Sequence, residues 1–113
     1  MEREDYFNIK LKEFTNIAIA MAYYITRIEL HYAVSTDYAR LHDEMEKEGF
    51  LTTIPMAGTI RKLPEAEYYR ESSLDCESIL NSAKRAIAGT GKVGCALVSE
   101  TINIMGSGLF INN

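Results

Sequence analysis

Apolar and polar positions alternate through Tyr23–Ala33. Tyr24, Thr26, Ile28, Leu30 and Tyr32 fall on one side; Ile25, Arg27, Glu29 and His31 fall on the other. A period of two is strand geometry, so this stretch predicts a first core strand with one face turned to helices and one left open. Next, Tyr38, Leu41, His42 and Met45 recur at helical spacing. Ser35 or Thr36 can cap a helix over Asp37–Lys47, and Gly49-Phe50 supplies its stop. Leu51–Met56 reads as a second strand, Ala57-Gly58 as a turn, and Thr59–Leu63 as the returning strand. Pro64 interrupts the ladder, as at an edge or bulge, and Ala66–Ser72 resumes as strand or extended arm.

Asp75 can cap a second helix running to Ala88, with Ile79, Leu80, Ala83, Ala86 and Ile87 as its apolar stripe. Gly89 and Gly91 end it. Val93–Ser99 is almost continuously apolar, which predicts a strand covered on both faces. The tail from Thr101 carries Gly106-Ser107-Gly108 and reads as a loop with a short last strand. Strand–helix–strand–strand–helix–strand is the ferredoxin-like order. The predicted class is therefore α+β, with two helices on one face of an antiparallel sheet. Residues 21–113 form this single domain. In residues 1–20, Phe7, Ile9 and Leu11 alternate with Asn8, Lys10 and Lys12; they read as an N-terminal arm or extension, or as an extra edge strand.

Composition narrows the function classes. A chain of 113 residues, 47% apolar and 25% charged, suits one globular domain with a core of its own. Its net charge of −4 argues against a general nucleic-acid coating protein, which needs clustered Lys and Arg. Lys84, Arg85 and Lys92 still allow a modest basic patch. Cys76 and Cys95 lack CxxC spacing and read as free thiols of a cytoplasmic protein, with Cys95 in the core. The apolar stretch Ile17–Ile25 is too short to span a bilayer, so no membrane association is expected.

A set of motifs in fixed order carries a family resemblance. Arg27-x-Glu29-Leu30-His31-x-Ala33, Asp37-Tyr38-x-x-Leu41-His42-x-x-Met45, Gly49-Phe50, Leu63-Pro64-x-Ala66-Glu67-Tyr68, Ala83-Lys84 and Gly91-Lys92 together resemble the GhoS-like endoribonuclease antitoxins of type V toxin–antitoxin systems, in a phage or prophage branch. The likeness runs from about Met21 to Leu109. It implies a ferredoxin-like protein that cuts the messenger RNA of a small membrane toxin.

RNA cleavage without metal needs a base for the 2′-hydroxyl, an acid for the leaving oxygen and a cation for the developing charge. His31 can act as base or acid, because an unperturbed imidazole titrates at about 6.5. Glu29, two residues away on the same face, can partner it, and Arg27 or Arg40 can hold phosphate. The competing reading of Arg27, Glu29 and His31 is a solvated charge ladder on a sheet face. Tyr68, Tyr69 and Arg70 are the candidate platform for single-stranded RNA, against ordinary strand packing. His42 reads as a half-buried, hydrogen-bonded core histidine. No cofactor and no metal site is expected, since no third ligand has suitable spacing beside the two histidines. The apolar last strand suggests a homodimer through a sheet edge. The alternative to an RNA-cutting enzyme is a non-enzymatic phage-encoded protein that binds and inhibits a host defence factor.

Overall fold

The computed structural model describes residues 21–112; the arm expected at residues 1–20 lies outside them. Seven elements follow in order: β1 (Ala22–Leu30), α1 (Ser35–Lys47), β2 (Thr53–Met56), β3 (Thr59–Lys62), β4 (Glu67–Ser72), α2 (Cys76–Gly89) and β5 (Gly94–Thr101). The fold is α+β, with two helices and antiparallel strands in two sheets. β1 is the centre of a three-stranded sheet of order β4-β1-β5, and β2 and β3 form a separate pair.

β1 shows why the alternation matters. Tyr24, Thr26, Ile28 and Leu30 are buried under the helices, where Leu41, Met45, Ile79, Ala83 and Ala86 meet them. Arg27 and Glu29 point the other way and are exposed. Register places Arg27 between Glu67 of β4 and Leu97 of β5, and Glu29 opposite Cys95. Thr26, at the middle of this buried row, has no hydrogen-bond partner for its hydroxyl among the described residues.

The helix ends follow the chemistry of their termini. Asp75 precedes α2 and accepts from the Ser78 N–H at 2.9 Å, as its position in the sequence predicts. α1 begins two residues earlier than expected. Val34 holds the cap position, and the Asp37 carboxylate reaches back to its N–H at 2.9 Å. Gly49 terminates this helical segment at φ 96°, a left-handed conformation open to glycine. The Arg70 guanidinium lies where a Cβ on Gly49 would meet it.

Three expectations are corrected. First, β1 ends at Leu30, not Ala33. The His31 N–H bonds the Val93 carbonyl at 2.7 Å, and the chain then turns toward α1 with Tyr32 at φ 54°. Tyr32 has left the pleat and is 97% exposed rather than inward. Second, Leu51–Met56 is not one strand. Leu51 alone bridges Tyr69, whereas β2 peels away to pair with β3. Pro55 within β2 has no N–H for a further neighbour. The β2–β3 turn matches expectation, and Ala57 and Gly58 both take positive φ, 47° and 80°, as in a type I′ hairpin.

Third, β5 is not covered on both faces by any described residue. Gly94, Ala96 and Val98 alternate inward, and Cys95, Leu97 and Ser99 are exposed. Small residues face inward because space is short: a Cβ on Gly94 would lie 2.6 Å from the Glu29 carbonyl. The tail instead returns to the hairpin. Lys62 N–H donates to the Phe110 carbonyl, and Asn112 N–H to the Ile60 carbonyl, both at 2.8 Å.

Candidate functional site

The open sheet face divides into two halves. Toward β4, Tyr69 shares this face yet is only 5% exposed. It borders a crevice with Tyr23, Ile54, Met56 and Ile104, from the hairpin and tail. Its ring stacks on Tyr23 with centroids 6.4 Å apart, and its hydroxyl donates to Glu71 at 2.9 Å. Burial first, and then the Glu71 carboxylate, push the Tyr69 phenol above its ordinary pKa. Toward β5, the face is bare among the described residues, and Arg27, Glu29, Cys95 and Leu97 line a shallow concavity.

β1 aims its two charged side chains in different directions. Arg27 leans toward β4, with Nε 3.7 Å from a Glu67 oxygen. Glu29 leans toward β5, with Oε1 4.0 Å from Cys95 Sγ. His31 sits just beyond the strand, its backbone fixed by the Val93 bond. One ligand atom each of Glu29, His31 and Cys95 lies within 4.8 Å of the other two, and all three residues are exposed. The structure therefore brings Glu29 and His31 together, and Arg27 stands on the same face one pleat away.

Cys95 is the neighbour that the sequence reading misses, having assigned it to the core. The signal was present: Gly94, Ala96 and Val98 are the alternate positions suited to packing beneath a helix, which turns Cys95 outward.

The other expected contact residues do not join this group. Arg40 is exposed on α1, across the sheet from Arg27 and Glu29. Tyr68 is fully buried and bonds His42 Nδ1 at 2.6 Å; burial is the main cause that raises its phenol pKa, with Glu65 adding to it. Arg70 donates to the Glu48 carbonyl at 2.7 Å and lies over the Phe50 ring. Tyr68, Tyr69 and Arg70 thus form no shared stacking platform: successive strand residues face opposite sides, and both rings are packed. His42 matches its expected role, half-buried with Glu65 Oε1 at 3.3 Å from Nε2.

The basic patch is also divided. Arg85 pairs with Glu48 at 3.0 Å, and Lys92 lies 3.8 Å from Asp37. Another concavity, about 560 Å³, lies elsewhere, between hairpin and tail beside Met56, Arg61, Met105 and Leu109. Arg61 there is held by Thr59 and the Leu109 carbonyl. None of the described helices is long and apolar enough to cross a membrane. Comparison with protein-family models, curated proteins and solved structures gives no match.

Chemically, the β1–β5 surface offers an imidazole beside a carboxylate, a thiol within reach of both, and a guanidinium nearby. That set can move a proton, hold an anion or ligate a cation.

Proposed function

We propose that the protein is a GhoS-like endoribonuclease antitoxin that cleaves single-stranded RNA, the messenger of a small membrane toxin, without a metal ion. The observation that carries this reading is the approach of His31 to Glu29 on the half of the sheet face that the described residues leave uncovered, where Arg27 also lies. In this mechanism His31 takes or gives the proton, Glu29 orients the imidazole, and Arg27 stabilises the phosphorane charge. Arg40, on the helical side, would contact a trailing strand of the RNA and not the scissile phosphate.

The fold supports the family reading. We read the order β5-β1-β4, with Leu51 bridging Tyr69 of β4, as a ferredoxin-like arrangement whose second strand is reduced to one bridge. The experiment is cleavage of a labelled single-stranded RNA in the presence of chelator. Arg27→Ala and His31→Ala lose most of the activity while keeping the parent's circular dichroism and melting temperature. Undiminished cleavage by both variants would remove these residues from the mechanism.

One observation favours a second reading, a non-enzymatic phage-encoded inhibitor of a host defence factor. β5 ends the described sheet with one backbone edge unpaired, beside Leu97 and Val93, 64% and 71% exposed. Such an edge can accept a strand from a target protein or from a second copy in a homodimer. A stable protein complex, together with no cleavage by highly purified material, selects this reading over the first.

A further inference from the structure

The convergence of Glu29, His31 and Cys95 has a use that neither reading above requires. We infer that these three side chains form a surface zinc site, with three protein ligands and an open fourth position. The argument begins with the donors. An imidazole nitrogen, a thiolate sulfur and a carboxylate oxygen are the three ligand types zinc accepts, at bond lengths of roughly 2.0–2.3 Å. Magnesium and calcium take oxygen-rich shells, so a site with one carboxylate and a thiol discriminates against them. Thiolate and carboxylate together also neutralise a divalent charge.

Geometry supports the same conclusion. Glu29 and Cys95 are direct cross-strand partners on β1 and β5, so the pleat projects both from one face. His31 follows Glu29 by two residues, and its N–H is tied to the Val93 carbonyl, which anchors it beside the β5 strand that bears Cys95. The three donor atoms lie within 4.8 Å of one another. Around a tetrahedral zinc, such donors stand roughly 3.3–3.8 Å apart at those bond lengths. Closing the remaining gap of about 1 Å takes only rotamer adjustment of exposed side chains. Arg27 does not obstruct, because it leans to Glu67 on the opposite side of β1. Zinc binding displaces the thiol proton of Cys95 and leaves one coordination position for water or an incoming anion.

Zinc would occupy the same Glu29 and His31 that the proposed metal-free cleavage uses, so the zinc-bound and cleaving forms exclude one another; the test of the site contains no RNA. The full chain is kept reduced and titrated with Zn²⁺ against a chromophoric chelator, and with Co²⁺ followed by absorption. One metal binds per chain, and the cobalt form shows a thiolate charge-transfer band. Cys95→Ser abolishes that band, and His31→Ala weakens zinc binding by roughly tenfold or more. Cys76→Ser, at the start of α2 and away from the site, keeps both properties. Because all three ligands are exposed, the variants retain the parent's melting temperature without metal. A band that survives Cys95→Ser, a band lost with Cys76→Ser, or zinc binding equal in the parent and the Glu29→Ala/His31→Ala/Cys95→Ser triple variant would each overturn the assignment.

Discussion

Replacing Thr26 by Val should make this protein more stable. Thr26 lies at the centre of β1, fully buried, between Tyr68 of β4 and Val98 of β5. Its hydroxyl has no partner among the described residues, so folding strips it of water without a described group replacing the lost hydrogen bond. A buried, unsatisfied hydroxyl costs about 1–3 kcal/mol. Valine keeps the β-branched shape and the strand preference, and puts a methyl group where the hydroxyl stood. The expected gain is therefore about 1–3 kcal/mol, and for a domain of this size roughly 4–8 °C in Tm per kcal/mol. Urea unfolding followed by circular dichroism measures it, with an unchanged m-value showing that the native state is the same. Thr26→Ser is the internal control: it keeps the hydroxyl, removes a packed methyl, and should cost roughly 0.5–1.5 kcal/mol. A Val variant less stable than the parent would refute the reasoning, since it would mean that the hydroxyl is satisfied in solution.

His42→Phe leaves the buried Tyr68 hydroxyl without its 2.6 Å partner and should cost about 1–3 kcal/mol; adding Tyr68→Phe should recover part of that loss in a double-mutant cycle. Gly49→Ala forces a Cβ onto a residue at φ 96° with the Arg70 guanidinium carbon 3.2 Å away, so it should cost about 1 kcal/mol or more, and Arg70→Ala should not restore the strained backbone. Hydrogen bonds from Ser78 hold the Asp75 carboxyl below its ordinary pKa. A native value below the unfolded one adds stability above the unfolded pKa, about 3.9, and loses it as pH falls through the native value. Parent and Asp75→Asn should therefore differ in Tm at neutral pH and converge in acid; a difference that persists in strong acid would exclude the carboxylate as its source.

The sequence disclosed whatever depended on local periodicity. The inward row of β1, the apolar stripes of both helices, the Asp75 cap and the Gly49 stop all follow from spacing or backbone chemistry within a few residues. What stayed hidden depended on partners distant in sequence. Nothing local to Tyr68 and Tyr69 says that one ring enters the core beside His42 while the other is roofed by a hairpin and the tail. Strand length was misread where tertiary bonds decide it: the Val93 carbonyl holds His31 and fixes where β1 gives way to the turn. Cys95 was misplaced because an apolar run conceals its own alternation when the inward residues, Gly94 and Ala96, are also apolar. Of the candidate site, the adjacency of Glu29 and His31 was legible from a two-residue interval, but their approach to Cys95 needed the β1–β5 register.

The clasp between β3 and the tail divides the molecule by timescale. Lys62 and Ile60 are tied to Phe110 and Asn112, and Arg61 reaches Leu109 across 48 residues. A loop that long closes slowly and returns only a few bonds, whereas β1 is zipped along both edges. Segments with few contacts open locally at a fraction of the global free energy. The amides of Lys62 and Asn112 should thus exchange with solvent as one cooperative unit, ahead of the amides inside β1. Each such opening would uncover Tyr69 while the helix-backed sheet stays intact. Among the described residues, such an opening would change the surface from one with the β4 half of the open face shuttered to one with both halves bare.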